Sequence, residues 1–132
     1  MAEPQAGIIP EPSESALFLV LRVPEAAEHG AAVASVAARV PSLTQRVSAL
    51  DRHAKLACTV GFGAEFWDVV SPEERPAGLH PFEALEIGGR RAPSTGGDLL
   101  LHVISKRPDL NLELAMRIRR ELGPSVAVMD EV

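Results

Sequence analysis

The sequence is poor in the residues from which most sites are built. Its single cysteine, Cys58, excludes an intrachain disulfide and a cysteine-based zinc cluster. Tyrosine is absent and aromatics make up only 4% of the chain, so stacking platforms for bases or sugars are poorly supplied. Thirteen Lys and Arg face eighteen Asp and Glu, a formal net charge of −5. That balance opposes a nucleic-acid partner, which requires a basic face. The cluster Arg117, Arg119, Arg120 falls at the end of an expected helix, where cations complement the helix dipole. No apolar run approaches the roughly 20 residues that span a bilayer. The opening "MAEPQAGIIPEP" has neither the basic region nor the apolar stretch of a secretory signal. Together these absences predict a cytoplasmic protein without nucleic-acid or membrane partners.

Reactive constellations are equally scarce. His29, His53, His80 and His102 form no pair with metal-ligand spacing, and no metal site is expected. His102, on an apolar strand, is the histidine expected to be most buried and the first candidate cofactor ligand; the plainer reading is a hydrogen-bonded core residue. Cys58 sits mid-strand, where a thiol behaves as a small hydrophobe. There is no G-x-S-x-G elbow. Gly61-Phe62-Gly63 lacks the third glycine and the Lys-Ser/Thr pair of a phosphate loop. Glu65 and Asp68 flank Trp67 and read as helix-start acids, with Trp67 as a core anchor. Asp98, after Gly96-Gly97, reads as a turn residue. No catalytic residue is expected in this chain.

What the chain does contain is a regular alternation of elements within 132 residues, the size of one domain. Residues 1–14 read as an extended arm draped over a partner. Residues 15–23, "SALFLVLRV", form a strand apolar enough to be covered on both faces. Pro24 opens an alanine-rich helix with Glu25 and Glu28 in its first turn, ending before Pro41. Ser42 starts a second short helical piece with Leu43, Val47 and Leu50 on its apolar side. "LACTVGFG" is the second strand and "AEFWDVV" a short helix. Residues 71–97 are a long irregular segment whose Leu79, Phe82, Leu85 and Ile87 suggest packing. "DLLLHVISK" is the third strand, with Leu99, Leu101 and Val103 on one face and Leu100, His102 and Ile104 on the other. Leu110, Leu114, Ile118 and Leu122 stripe the next helix, which Gly123 and Pro124 stop. "VAVMDEV" is the fourth strand.

The order strand, helix, strand, strand, helix, strand predicts an α+β, ferredoxin-like (βαββαβ) domain over 15–132, with a four-stranded antiparallel sheet and helices on one face. The other sheet face then needs a cover, either a further domain or a second copy. A homodimeric α+β barrel that encloses a small ligand or haem, with His102 facing inward, is one such arrangement.

"TVGFGAEFWD", "RPAGLHPF", "STGGDLLLHVISKRPDLNLELAMRIRREL" and the closing "MDEV", in that order and spacing, resemble the N-terminal half of a dye-decolorizing (DyP-type) haem peroxidase of the bacterial type B sort. The resemblance covers nearly the whole chain, from "GIIPEP" onward. It implies two ferredoxin-like halves, haem b in the C-terminal one, and hydrogen peroxide and an organic reductant as reactants. A proximal histidine, a distal arginine and the aspartate of a G-x-x-D-G motif would all lie beyond this stretch. The sequence holds no G-x-x-D-G, so the resemblance carries no catalytic residue onto it. On this reading the chain is a truncated half, inactive alone, that forms a homo-oligomer through its uncovered sheet face.

Overall fold

The computed structural model describes residues 3–132; the first two residues of the expected arm lie outside the described residues. Strand β1 (Ser15–Arg22) leads into helix α1 (Ala26–Ser48), then β2 (Ala57–Phe62) and the short α2 (Ala64–Val70). A small hairpin of β3 (Leu85–Ile87) and β4 (Arg90–Ala92) follows. The chain finishes with β5 (Leu99–Ser105), α3 (Pro108–Leu122) and β6 (Ala127–Glu131). The main sheet is antiparallel in the order β2-β5-β1-β6. This is the α+β, ferredoxin-like arrangement that the element order predicts.

The pleat sorts the side chains onto two faces. Leu19, Leu21, Leu99, Leu101 and Val103 point to the helices and are buried. They meet Val33, Val36, Val40, Leu43 and Val47 of α1 and Leu110, Leu114, Ile118 and Leu122 of α3 in one core. The opposite face carries Phe18, Leu100, His102 and Ile104. Ile104 is buried, but Phe18 and Leu100 are each 39% exposed, so that face is covered only in part.

Several expectations are corrected. Helix α1 does not stop before Pro41 but runs on to Ser48, so Ser42 begins no second helix. Pro41 lacks the N–H for one helical bond. Val36, Val40, Leu43 and Val47 nevertheless continue one buried stripe across it, and that packing outweighs the lost bond. Leu50 lies past the helix end and is exposed. The helix starts at Ala26 rather than Pro24, because Glu25 takes a left-handed conformation with φ 53°. The long segment 71–97 is not wholly irregular, since it contains the β3–β4 hairpin. Its apolar members do not pack as expected: Leu79 is half-buried, and Phe82, Leu85 and Ile87 are exposed. Trp67 is not the core anchor. Phe66, one position earlier, is fully buried, and half-buried Trp67 meets Phe62 edge-on at 5.8 Å.

The arm is not simply extended and lies over the chain's own sheet. It turns at residues 6–9 and rests on β2. Arg107, just before α3, ties two elements together. It pairs with Asp109 at 2.6 Å and with Asp51, in the turn after α1, at 3.1 Å. The Arg107 hydrogen bonds hold both carboxyls below their ordinary value of 3.8. A carboxyl whose folded value is depressed stabilises the fold above its unfolded value and loses that contribution as pH falls through the folded value. The stability difference between wild type and Arg107→Gln is therefore expected to be flat above about pH 5 and to shrink towards zero in stronger acid. Urea titrations at several pH values measure it; a difference that grows on acidification contradicts the assignment.

Candidate functional site

The chemistry-bearing residues are scattered rather than assembled. His102 lies on the uncovered sheet face, in register with Phe18 of β1 and Thr59 of β2. Its imidazole stacks flat on the Phe18 ring, with centroids 4.3 Å apart and planes 8° from parallel. His102 is half-buried and has no hydrogen-bond partner among the described residues, so it is not a hydrogen-bonded core histidine. His53 is exposed near Asp51. His80 is exposed, and its Nδ1 donates to the Pro81 carbonyl at 2.8 Å. His29 stands at the start of α1 beside Glu25 and Glu28, with the three ligand-type atoms within 4.8 Å of one another. The sequence reading passed over that spacing. Both acids are exposed, and carboxylates at this position stabilise a helix start.

Two hollows among the described residues lie beside β2 and α2. The larger, about 1100 Å³, runs between the arm, α1 and the free edge of β2, and includes Ala38, Pro41, Arg52 and Cys58. Cys58 faces this groove and the core. Burial pushes its thiol up to about 12, so it stays protonated at neutral pH and is a poor nucleophile. The smaller, about 520 Å³, lies between the start of α2 and the long segment, and includes His80, Ser94 and Thr95.

Asp98, expected as a turn residue, and Asp68, expected as a helix-start acid, both have structural roles. Asp98 accepts the Val23 N–H on its carboxylate at 2.7 Å and donates its own N–H to the Leu21 carbonyl at 2.8 Å. Its carbonyl accepts the Gly63 N–H at 2.8 Å. One residue thus fixes the ends of β1, β2 and β5 together. Asp68 pairs with Arg75 at 2.6 Å, and Trp67 Nε1 donates to the Glu74 carbonyl at 2.7 Å. These contacts anchor the start of the long segment to α2.

Haem is the cofactor that the family resemblance implies. An axial ligand must aim a ring nitrogen into a hollow that accepts the macrocycle. His102 lies flat against Phe18 and lines neither hollow, and no histidine lines the larger one. The residues present do not by themselves fit a haem site.

Comparison with known proteins bears on the same point. A family model described as Dyp-type peroxidase, N-terminal, matches residues 5–132. The dye-decolorizing peroxidase of Brevibacterium linens is 41% identical over 125 residues, covering 95% of this chain and 34% of that protein. That of Mycobacterium tuberculosis is 35% identical over 118 residues, covering 89% of this chain and 35% of that protein. Among solved structures, a DypB variant of Rhodococcus jostii in complex with haem superimposes with a TM-score of 0.91 at 40% identity, covering 98% of this chain and 42% of that one. The encapsulated DyP-type peroxidase of Mycobacterium smegmatis gives a TM-score of 0.87 at 30% identity, covering 97% of this chain and 40% of that one. The chain spans about a third of the length of these curated relatives. With the same sequence family and the same fold along almost all the described residues, the chain belongs to the Dyp-type peroxidases, as their N-terminal domain.

Proposed function

We propose that this chain is the scaffold half of a haem peroxidase that oxidises organic reductants with hydrogen peroxide. The observation that supports this best is the family match over residues 5–132. Haem b, when bound in such an enzyme, supplies the iron at which peroxide is cleaved. The scattered placement of His29, His53, His80 and His102 supports a division of labour. The catalytic groups belong to another half, and this one, a single domain over 15–132 with an arm over 1–14, gives that half a rigid wall. The uncovered face around Phe18, Leu100 and His102 is the surface that receives a further layer. That layer is the haem-bearing half of the whole enzyme. An acidic chain with one buried-side thiol suits a cytoplasmic setting without nucleic-acid or membrane partners, and no helix among the described residues is long and apolar enough to cross a membrane.

A haem titration of the purified chain tests the proposal. No saturable Soret band is expected, and peroxide-dependent dye oxidation is expected only after the haem-bearing half of a relative is added. A saturable band that disappears in His102→Ala would overturn it in favour of a homodimeric haem-binding barrel.

A further inference from the structure

The free edge of β2 is held in an unusual way. An edge strand presents a row of unpaired N–H and C=O groups and invites another strand. Here the Gln5 side-chain amide takes the strand's place. Its Oε1 accepts the Val60 N–H at 2.8 Å, and its Nε2 donates to the Val60 carbonyl at 3.0 Å. These are the two bonds that an antiparallel neighbour would make. Gly7 then presses so closely on Thr59 that a Cβ there would run into the threonine side chain. Further out, Glu11 of the arm pairs with Lys55, just before β2, at 3.7 Å. The arm therefore occupies one hydrogen-bonding position of the edge. By the two-residue repeat of the pleat, Cys58 and Phe62 point their backbone groups the same way.

We propose that the β2 edge is a self-association surface, closed in cis by the arm and opened when the arm lifts. The occupant is a second copy of this chain, its β2 added antiparallel about a twofold axis at Val60. In that register Val60 exchanges both backbone bonds with Val60 of the second copy, and Cys58 stands opposite Phe62. Lys55 precedes β2 and Glu65 stands in the first turn of α2 just after it, so each copy's Lys55 comes to the end of the ladder where the other's Glu65 lies. The charges complement each other twice, as an isologous interface requires. Lys55 is freed by the same event that opens the edge, because its partner in cis is Glu11. Glu65 is exposed and has no ion pair among the described residues. On the helix side the groove is lined by Ala38, Pro41 and Ala49, all small and exposed, which leaves room for the neighbouring α1.

Sedimentation velocity over a concentration series tests this in the intact chain. Gln5→Ala is expected to tighten the dimer at least tenfold relative to wild type, with an unchanged far-ultraviolet spectrum. Glu11→Ala, an exposed change that cannot disturb the core, is expected to act in the same direction. In the Gln5→Ala background, Ala38→Glu should abolish the dimer. Lys55→Glu should weaken it, and adding Glu65→Lys should restore it. Unchanged association in both Gln5→Ala and Glu11→Ala would overturn the proposal. So would association that is indifferent to Ala38→Glu but lost in Phe18→Glu, which would place it on the open sheet face.

Discussion

Leu114→Ala is expected to lower the free energy of unfolding by roughly 2–5 kcal/mol. Leu114 sits at the middle of α3 with no exposed surface, in the core that joins α1, α3 and the helix-facing side of the sheet. Truncation removes the transfer free energy of the lost atoms and leaves a cavity whose walls belong to three elements. Those walls cannot all collapse at once. Leu112, two residues away on the same helix, is 52% exposed and is the internal control. Leu112→Ala is expected to change stability by less than about 0.5 kcal/mol. Urea unfolding of the two variants measures both; equal losses would mean that α3 presents a different face to the sheet.

Gly63→Ala is the second large effect, expected at about 1–3 kcal/mol. Gly63 caps the start of α2 directly after β2 and has an ordinary extended backbone, φ −67°. Its glycine is required by space rather than by conformation. A Cβ at this position would meet the carbonyl of Gly97, which is backbone and not the yielding end of a side chain. The approach is fixed from both sides, because Gly63 N–H donates to the Asp98 carbonyl while Asp98 is itself tied to Leu21 and Val23. Adding a methyl group therefore forces apart the junction at which β1, β2 and β5 end. If urea unfolding puts Gly63→Ala within about 0.5 kcal/mol of wild type, the segment carrying Gly97 yields freely and the junction is not the clamp described.

This glycine shows where sequence reasoning reached its limit. "GFG" invites comparison with phosphate loops, and spacing alone rejects that reading, but spacing does not reveal that Gly63 makes way for another backbone from a distant segment. The helical stripe of α3 and the two faces of β5 were legible, because their periods of 3.6 and 2 are local properties of the chain. The continuation of α1 through Pro41 was not. The proline is a local signal to stop, whereas the packing that overrides it comes from elements far along the chain. Choosing between Phe66 and Trp67 as the anchor depended on the angle at which α2 leaves β2, which composition does not encode. The scattering of the histidines was legible as an absence of ligand spacing, whereas the stacking of His102 on Phe18 needed the strand register. The role of Gln5 carried no sequence signal at all, since a polar residue in a proline-rich arm looks the same whether it meets solvent or a strand edge.

The strand order has a further consequence, for the order of events during synthesis. β1 is the first strand to leave the ribosome, yet both its neighbours come late: Ser15 pairs with Ser105 and Leu19 with Glu131. Its apolar residues must wait, unpaired, until β5 has been made, and the second neighbour, β6, comes later still. Pairings this far apart in sequence are slow to close, and the waiting strand is prone to aggregate. Helix α1, whose bonds are local, can form directly behind β1 and is the first surface able to shelter it.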